Sequence, residues 1–175
     1  MTQFPHVRRR THLASHTRGL LAAAALLLVT LDAVAQDDLA RRRREYDSQS
    51  TPVGKAKKVP KLGDAQFEAA RRAMQDAKYD EALRLLHDYR ELVTTTREAL
   101  LAVVPNPEKK SAGFKQMEIH VRKSLDRMTD IIAETPLEQR ATFEALRSEL
   151  DAISKLLIRD LFPRQPGRTP PGKQP

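Results

Sequence analysis

The chain has no cysteine. That absence removes disulfides, thiolate nucleophiles, cysteine-ligated metals, Cys-x-x-Cys-His haem attachment and lipid attachment at a lipobox cysteine. Also missing are the Glu-x-x-His pair of di-iron bundles, a His-Glu-x-x-His pair and a glycine-rich phosphate loop. The lone serines have no base partner that would mark a nucleophile. Long apolar runs are absent too. The longest, GLLAAAALLLVTL at 19–31, is about a dozen residues, while a stable bilayer-spanning helix takes about 20. A mature chain of this kind is held together by packing alone.

That apolar run, with what flanks it, reads as an export signal. Arg8, Arg9, Arg10 and Arg18 precede it, and Ala33-Val34-Ala35 supplies small residues before Gln36. Residues 1–35 are therefore expected to be a signal peptide, with Ala33 and Ala35 at the cleavage site and the product periplasmic or secreted. RRRTHL has the paired arginines of a twin-arginine signal but not its aromatic residue. Arg41, Arg42, Arg43 and Arg44 make the far flank basic as well, which blunts the charge asymmetry that orients such segments. A retained, membrane-tethered form is the alternative.

The formal charge of +8 invites a nucleic-acid reading, and its distribution argues against one. Residues 36–62 hold eight basic and four acidic side chains, and the tail from 163 adds Arg164, Arg168 and Lys173. Residues 63–162 hold 16 basic against 18 acidic. The basic excess sits in the leader and flanks, whereas a nucleic-acid groove would put it on the body.

Residues 36–63 are charged and turn-rich and predict a flexible linker; PRQPGRTPPGKQP at the end predicts a disordered tail over 163–175. Between them, 64–162 shows helical periodicity and no strand pattern. Asp64 is the expected N-cap of a short helix to about 76, with Phe67, Ala70 and Met74 on one side. A second helix runs from Asp80 to Val104, with Thr94-Thr95-Thr96 as its weak point, and ends before Pro105. A third begins between Pro107 and Ala112 and reaches Ala133. The fourth starts at TPLE, 135–138, where Thr135, Pro136 and Glu138 make a capping box. The expected fold is all-α: an antiparallel bundle of three long helices plus one short N-terminal helix, with disordered flanks.

Within this pattern AKYDEAL, 77–83, has a tyrosine, an acidic pair and Ala82 at the turn into a second helix, and Ala70 falls on the small position of the first. Residues 64–93 resemble a single hairpin of the tetratricopeptide-repeat family. The match departs at Tyr89, where a small residue is usual, and at Thr94, where a proline closes the repeat. One period later the tyrosine position is Gly113. The resemblance therefore implies one helical hairpin and not a stacked array.

Candidate chemistry is sparse. His87 lies among Arg84, Asp88 and Glu91 and reads as a surface residue. His120 and Met117 are the candidates for a non-covalent haem or metal site of the kind helical bundles carry. Tyr79 and Tyr89 are read as packing at the helix turn. Asp80–Arg84 and Glu118–Arg122 are four-residue pairs of a solvated helix face. Arg41–Arg44 are candidates for contact with anionic membrane or envelope polymers. The expectation is an exported, non-catalytic helical protein of the cell envelope, a protein-interaction or scaffold module without cofactor. The alternatives are a haem- or metal-binding bundle and a tether to anionic surfaces.

Overall fold

In the computed structural model, residues 37–163 are described, and every regular element among them is a helix. Helix α1 spans 37–47, α2 Pro52–Gln75, α3 Tyr79–Val103, α4 Phe114–Glu134 and α5 Leu137–Leu161. The helical body belongs to one compact unit that begins at Asp38. The proposed cleavage residues Ala33 and Ala35, and the tail beyond Pro163, lie outside the described residues.

Among the described residues the long helices number four, not three. Residues 36–63 were expected to be linker, yet 37–47 and 52–63 are helical. Proline and glycine misled the reading. Pro52 occupies the first turn, where its missing N–H costs nothing, and Thr51 caps the helix by accepting from the Gly54 amide at 3.0 Å. Pro60 stands inside α2. Having no N–H, it cannot bond the Ala56 carbonyl and its ring crowds that oxygen, a cost opposed by the buried stripe Ala56, Val59, Leu62, Phe67 and Ala70. Asp64 lies in mid-helix and caps nothing.

Helix α1 is fixed by Tyr46, whose hydroxyl lies 2.7 Å from Thr96 Oγ1 on α3 in a buried contact. Thr94, Thr95 and Thr96 do not interrupt α3. Their hydroxyls donate back to the carbonyls of Arg90, Glu91 and Leu92 at 2.7–3.0 Å, so each polar group is satisfied within the helix. The capping box expected at 135–138 does not form. Thr135 donates to the Ile131 carbonyl at 2.7 Å, and α5 begins at Leu137 with no side-chain cap.

Helix α2 packs along α3 and α4 along α5; the two pairs join through α2–α4 and α3–α5. Arg90 and Arg97 of α3 reach Glu149 and Asp160 of α5, so those helices run in the same direction. The Arg97–Asp160 pair is bidentate, at 2.6 and 3.0 Å, and largely shielded from solvent. Tyr89, Phe67, Phe114 and Phe143 are the largest fully buried side chains of the shared core.

The α2–α3 corner is a Schellman turn: Lys78 N–H bonds the Ala73 carbonyl at 2.8 Å and Ala77 N–H that of Met74 at 3.0 Å. Ala77 sits there at φ +58°, a left-handed conformation that costs a β-carbon roughly 1 kcal/mol. Ala77→Gly should therefore raise stability by about 1 kcal/mol in urea unfolding; an unchanged or lower midpoint would count against the turn.

Candidate functional site

Gly63 on α2 opens the space in which the protein's polar cluster forms. A β-carbon there would stand 2.6 Å from His120 Cε1 and 2.7 Å from Tyr89 Cε2, so only glycine admits α3 and α4 this closely. The Tyr89 ring meets Phe67 edge-on at 5.1 Å between centroids and His120 at 5.6 Å. Its hydroxyl lies 2.9 Å from His120 Nδ1. Ser124 Oγ is 3.0 Å from the same hydroxyl and 2.9 Å from the His120 carbonyl. On the other side of the ring, His120 Nε2 is 3.3 Å from Asp64 Oδ1.

The partners assign the protons. An ionised carboxylate only accepts, so Nε2 carries the hydrogen and Nδ1 accepts from Tyr89. The single hydrogen of Ser124 is shared between the Tyr89 oxygen and the His120 carbonyl, both of which can accept it. Asp64 is shared: Arg127 Nη1 donates to it at 2.8 Å, while Nη2 donates to Glu68 at 3.1 Å. The Arg127 guanidinium lies 4.5 Å above the Phe67 ring. A continuous chain of polar contacts thus runs from buried Ser124 to exposed Glu68 across three helices.

Burial is the dominant influence on both titratable members. It pushes the Tyr89 hydroxyl well above its ordinary value. It lowers His120 below 6.5, against the opposing pull of Asp64. Neutral Tyr89 and neutral His120 are the forms this core accommodates.

Beside the cluster, α2 and α4 part to leave a cleft of about 260 Å³ lined by Phe67, Glu68, Arg71, Arg127, Asp130, Ile131, Ala133 and Glu134. Phe67 and Ile131 are buried and supply an apolar floor; Arg71, Asp130 and Glu134 are exposed on the rim. Arg127 belongs to both places, stacking on the floor while tying down Asp64.

The residues singled out from sequence fare differently. His120 and Met117 are both buried on α4, but both His120 ring nitrogens have protein partners. A metal at either nitrogen would have to displace Tyr89 or Asp64. Among the described residues no group of three or more His, Cys, Asp or Glu side chains is placed to hold a metal ion. His87 is half-buried on α3, where Arg84 pairs with Asp88 at 3.6 Å. Arg41–Arg44 fall on α1 beside acids of the same helix. Arg41 and Arg42 pair with Asp38, Arg42 also with Glu45, and Arg43 with Asp47.

Gly63, Ser124 and Arg127 carry no sequence signal, and Asp64 reads from sequence only as a helix N-cap. Gly63 and Asp64 stood at the presumed edge of a linker, and the Asp64–His120 contact needs residues 56 positions apart. Compared with protein-family models, curated proteins and solved structures, the chain matches none. No described helix is long and apolar enough to cross a membrane.

The buried histidine gives the protein an acid-sensitive core. As pH falls through 6.5 the unfolded chain takes up a proton at His120 while the folded chain resists. Stability is thus fully present above about pH 6.5, is lost as pH drops towards the lowered folded value, and levels off below it. Urea midpoints measured across pH 4–8 should show this decline in the natural chain and lose that component in His120→Gln. Superimposable profiles would contradict it.

Proposed function

We propose that this chain is an exported, non-catalytic helical protein of the bacterial cell envelope, an interaction or scaffold module that offers the α2–α4 cleft to a protein partner. The observation that carries the reading is the junction of cleft and cluster at Arg127. An apolar floor with a charged rim suits a protruding side chain of another protein. The floor is backed by a cluster whose own polar atoms are taken up in holding three helices, so the cleft stays open instead of collapsing.

The residues best suited to chemistry support the same reading. Tyr89, His120 and Ser124 are engaged with one another beneath the surface, in positions that serve packing. A haem or metal reading through His120 and Met117 would require undoing those bonds. A tether through Arg41–Arg44 is weakened by charge, since 37–47 holds four arginines and four acids. Export is inferred from residues 1–35 of the sequence. In finer detail, we take the chain-consecutive pairs α2–α3 and α4–α5 as antiparallel and α2–α3 as the hairpin likened to a single tetratricopeptide repeat, with Ala70 and Ala82 buried where its helices approach.

Site-specific crosslinking tests this directly. A photo-reactive residue at Ala133, on the cleft rim, should give a discrete crosslinked partner in cells that make the full-length chain. The same residue at exposed Glu98 of α3 should not. No adduct from position 133, or the same adducts from both, would overturn the reading.

A further inference from the structure

The long helices share out their charge unevenly along the bundle. Gly113, which opens α4, sits within about 3 Å of Ala56 near the start of α2 and of Leu100 near the end of α3 when judged from its missing β-carbon. The Arg97–Asp160 pair sets the end of α5 beside the end of α3. One end of the bundle therefore comprises 52–63, 92–123 and 150–162. It carries twelve basic and five acidic side chains, while the opposite half, 64–91 and 124–149, carries eight basic and thirteen acidic. Net charge is +7 at one end and −5 at the other.

The basic end has two further properties. Lys57, Lys61, Lys109, Lys110 and Lys115 are all exposed there, and none has an ion-pair partner among the described residues. Among the described residues, three of the four large exposed apolar side chains occur at this same end: Val103 at 53 %, Ile158 at 43 % and Phe162 at 71 %. The fourth, Leu137, is at the acidic end.

From this we infer that the basic end of the bundle docks on an anionic lipid surface, its lysines over the headgroups and Phe162 and Val103 dipping into the interface. Basic residues interleaved with single protruding apolar side chains are what a headgroup layer binds. A protein acceptor is disfavoured by the identity of the cations, because protein interfaces deplete lysine and favour arginine, and among the described residues the exposed cations without an ion-pair partner at this end are Lys57, Lys61, Lys109, Lys110, Lys115 and Lys123 against a single arginine, Arg159. Lysine is a hydrated point charge that suits a mobile array of phosphates. The surface is distinct from Arg41–Arg44, whose helix is neutral overall. It is also distinct from the α2–α4 cleft, which lies in the acidic half and would face away from the membrane, so neither inference depends on the other.

The chain contains no tryptophan, which makes a local probe available. In the full-length protein, F162W should shift its emission to the blue with phosphatidylglycerol vesicles and not with phosphatidylcholine vesicles. The shift should reverse in about 0.5 M salt, where the screening length falls below about 5 Å. L137W, at the acidic end, should not shift. Adding Lys109→Gln, Lys110→Gln and Lys115→Gln to F162W should weaken the vesicle titration about 100-fold. Because the probe reports only its own surroundings, binding through residues 1–35 cannot mimic the result. No shift at position 162, equal shifts at 162 and 137, or a shift that appears without vesicles as protein concentration rises would each overturn the inference, the last pointing to a second copy of the chain.

Discussion

The bundle depends on one missing side chain. At Gly63 the α2 backbone comes close enough to Tyr89 and His120 that a β-carbon would overlap both rings. That approach lets the Tyr89 hydroxyl stay buried against His120 and Ser124, and lets His120 reach Asp64 across the helix interface. Buried polar groups are costly unless each has its partner, and cheap once the set is complete. The cluster therefore specifies register as well as stability. Sliding α2 by one turn against α4 would separate Asp64 from both His120 and Arg127 and leave a tyrosine, a histidine and a serine to be satisfied elsewhere.

The apolar stripes make the all-helical character of the body legible in the sequence. Leu85, Leu86, Tyr89, Leu92, Val93 and Leu100 recur at helical spacing and are buried, and the PNP and Pro163 boundaries fell within a few residues of the helix ends. The first half of α2 was illegible because local signals opposed the global one. Its lysines, Pro52, Pro60 and Gly63 look like linker, while its burial rests on small residues such as Ala56 and Gly63 that add little to a periodicity count. Thr51-Pro52 carried the same kind of start signal as Thr135-Pro136. Only the former forms a side-chain cap, because Thr135 is drawn inward to the Ile131 carbonyl. The polar cluster was hidden for a different reason. Its contacts between helices join residues 31 to 63 positions apart, and no spacing rule joins Asp64 to His120 or Arg127.

These features divide the molecule by role. The centre is a closed polar cluster that spends its reactive side chains on holding helices. The acidic half carries an open cleft with an apolar floor, which we assign to a protein partner. The basic end carries unpaired lysines and protruding apolar side chains, which we assign to lipid. On these two assignments the bundle stands on a membrane by one end and presents the other, with Arg127 linking the cleft to the interior.

Position 63 is glycine because of the two rings it faces. In an ordinary helix interior, replacing glycine by alanine gains about 1 kcal/mol. Here the added methyl would meet two rings held by hydrogen bonds, and overpacking of that kind costs roughly 1–3 kcal/mol. The account predicts that Gly63→Ala lowers the urea-unfolding free energy. An unchanged or increased value would contradict the close approach on which the cluster, and with it the bundle's register, depends.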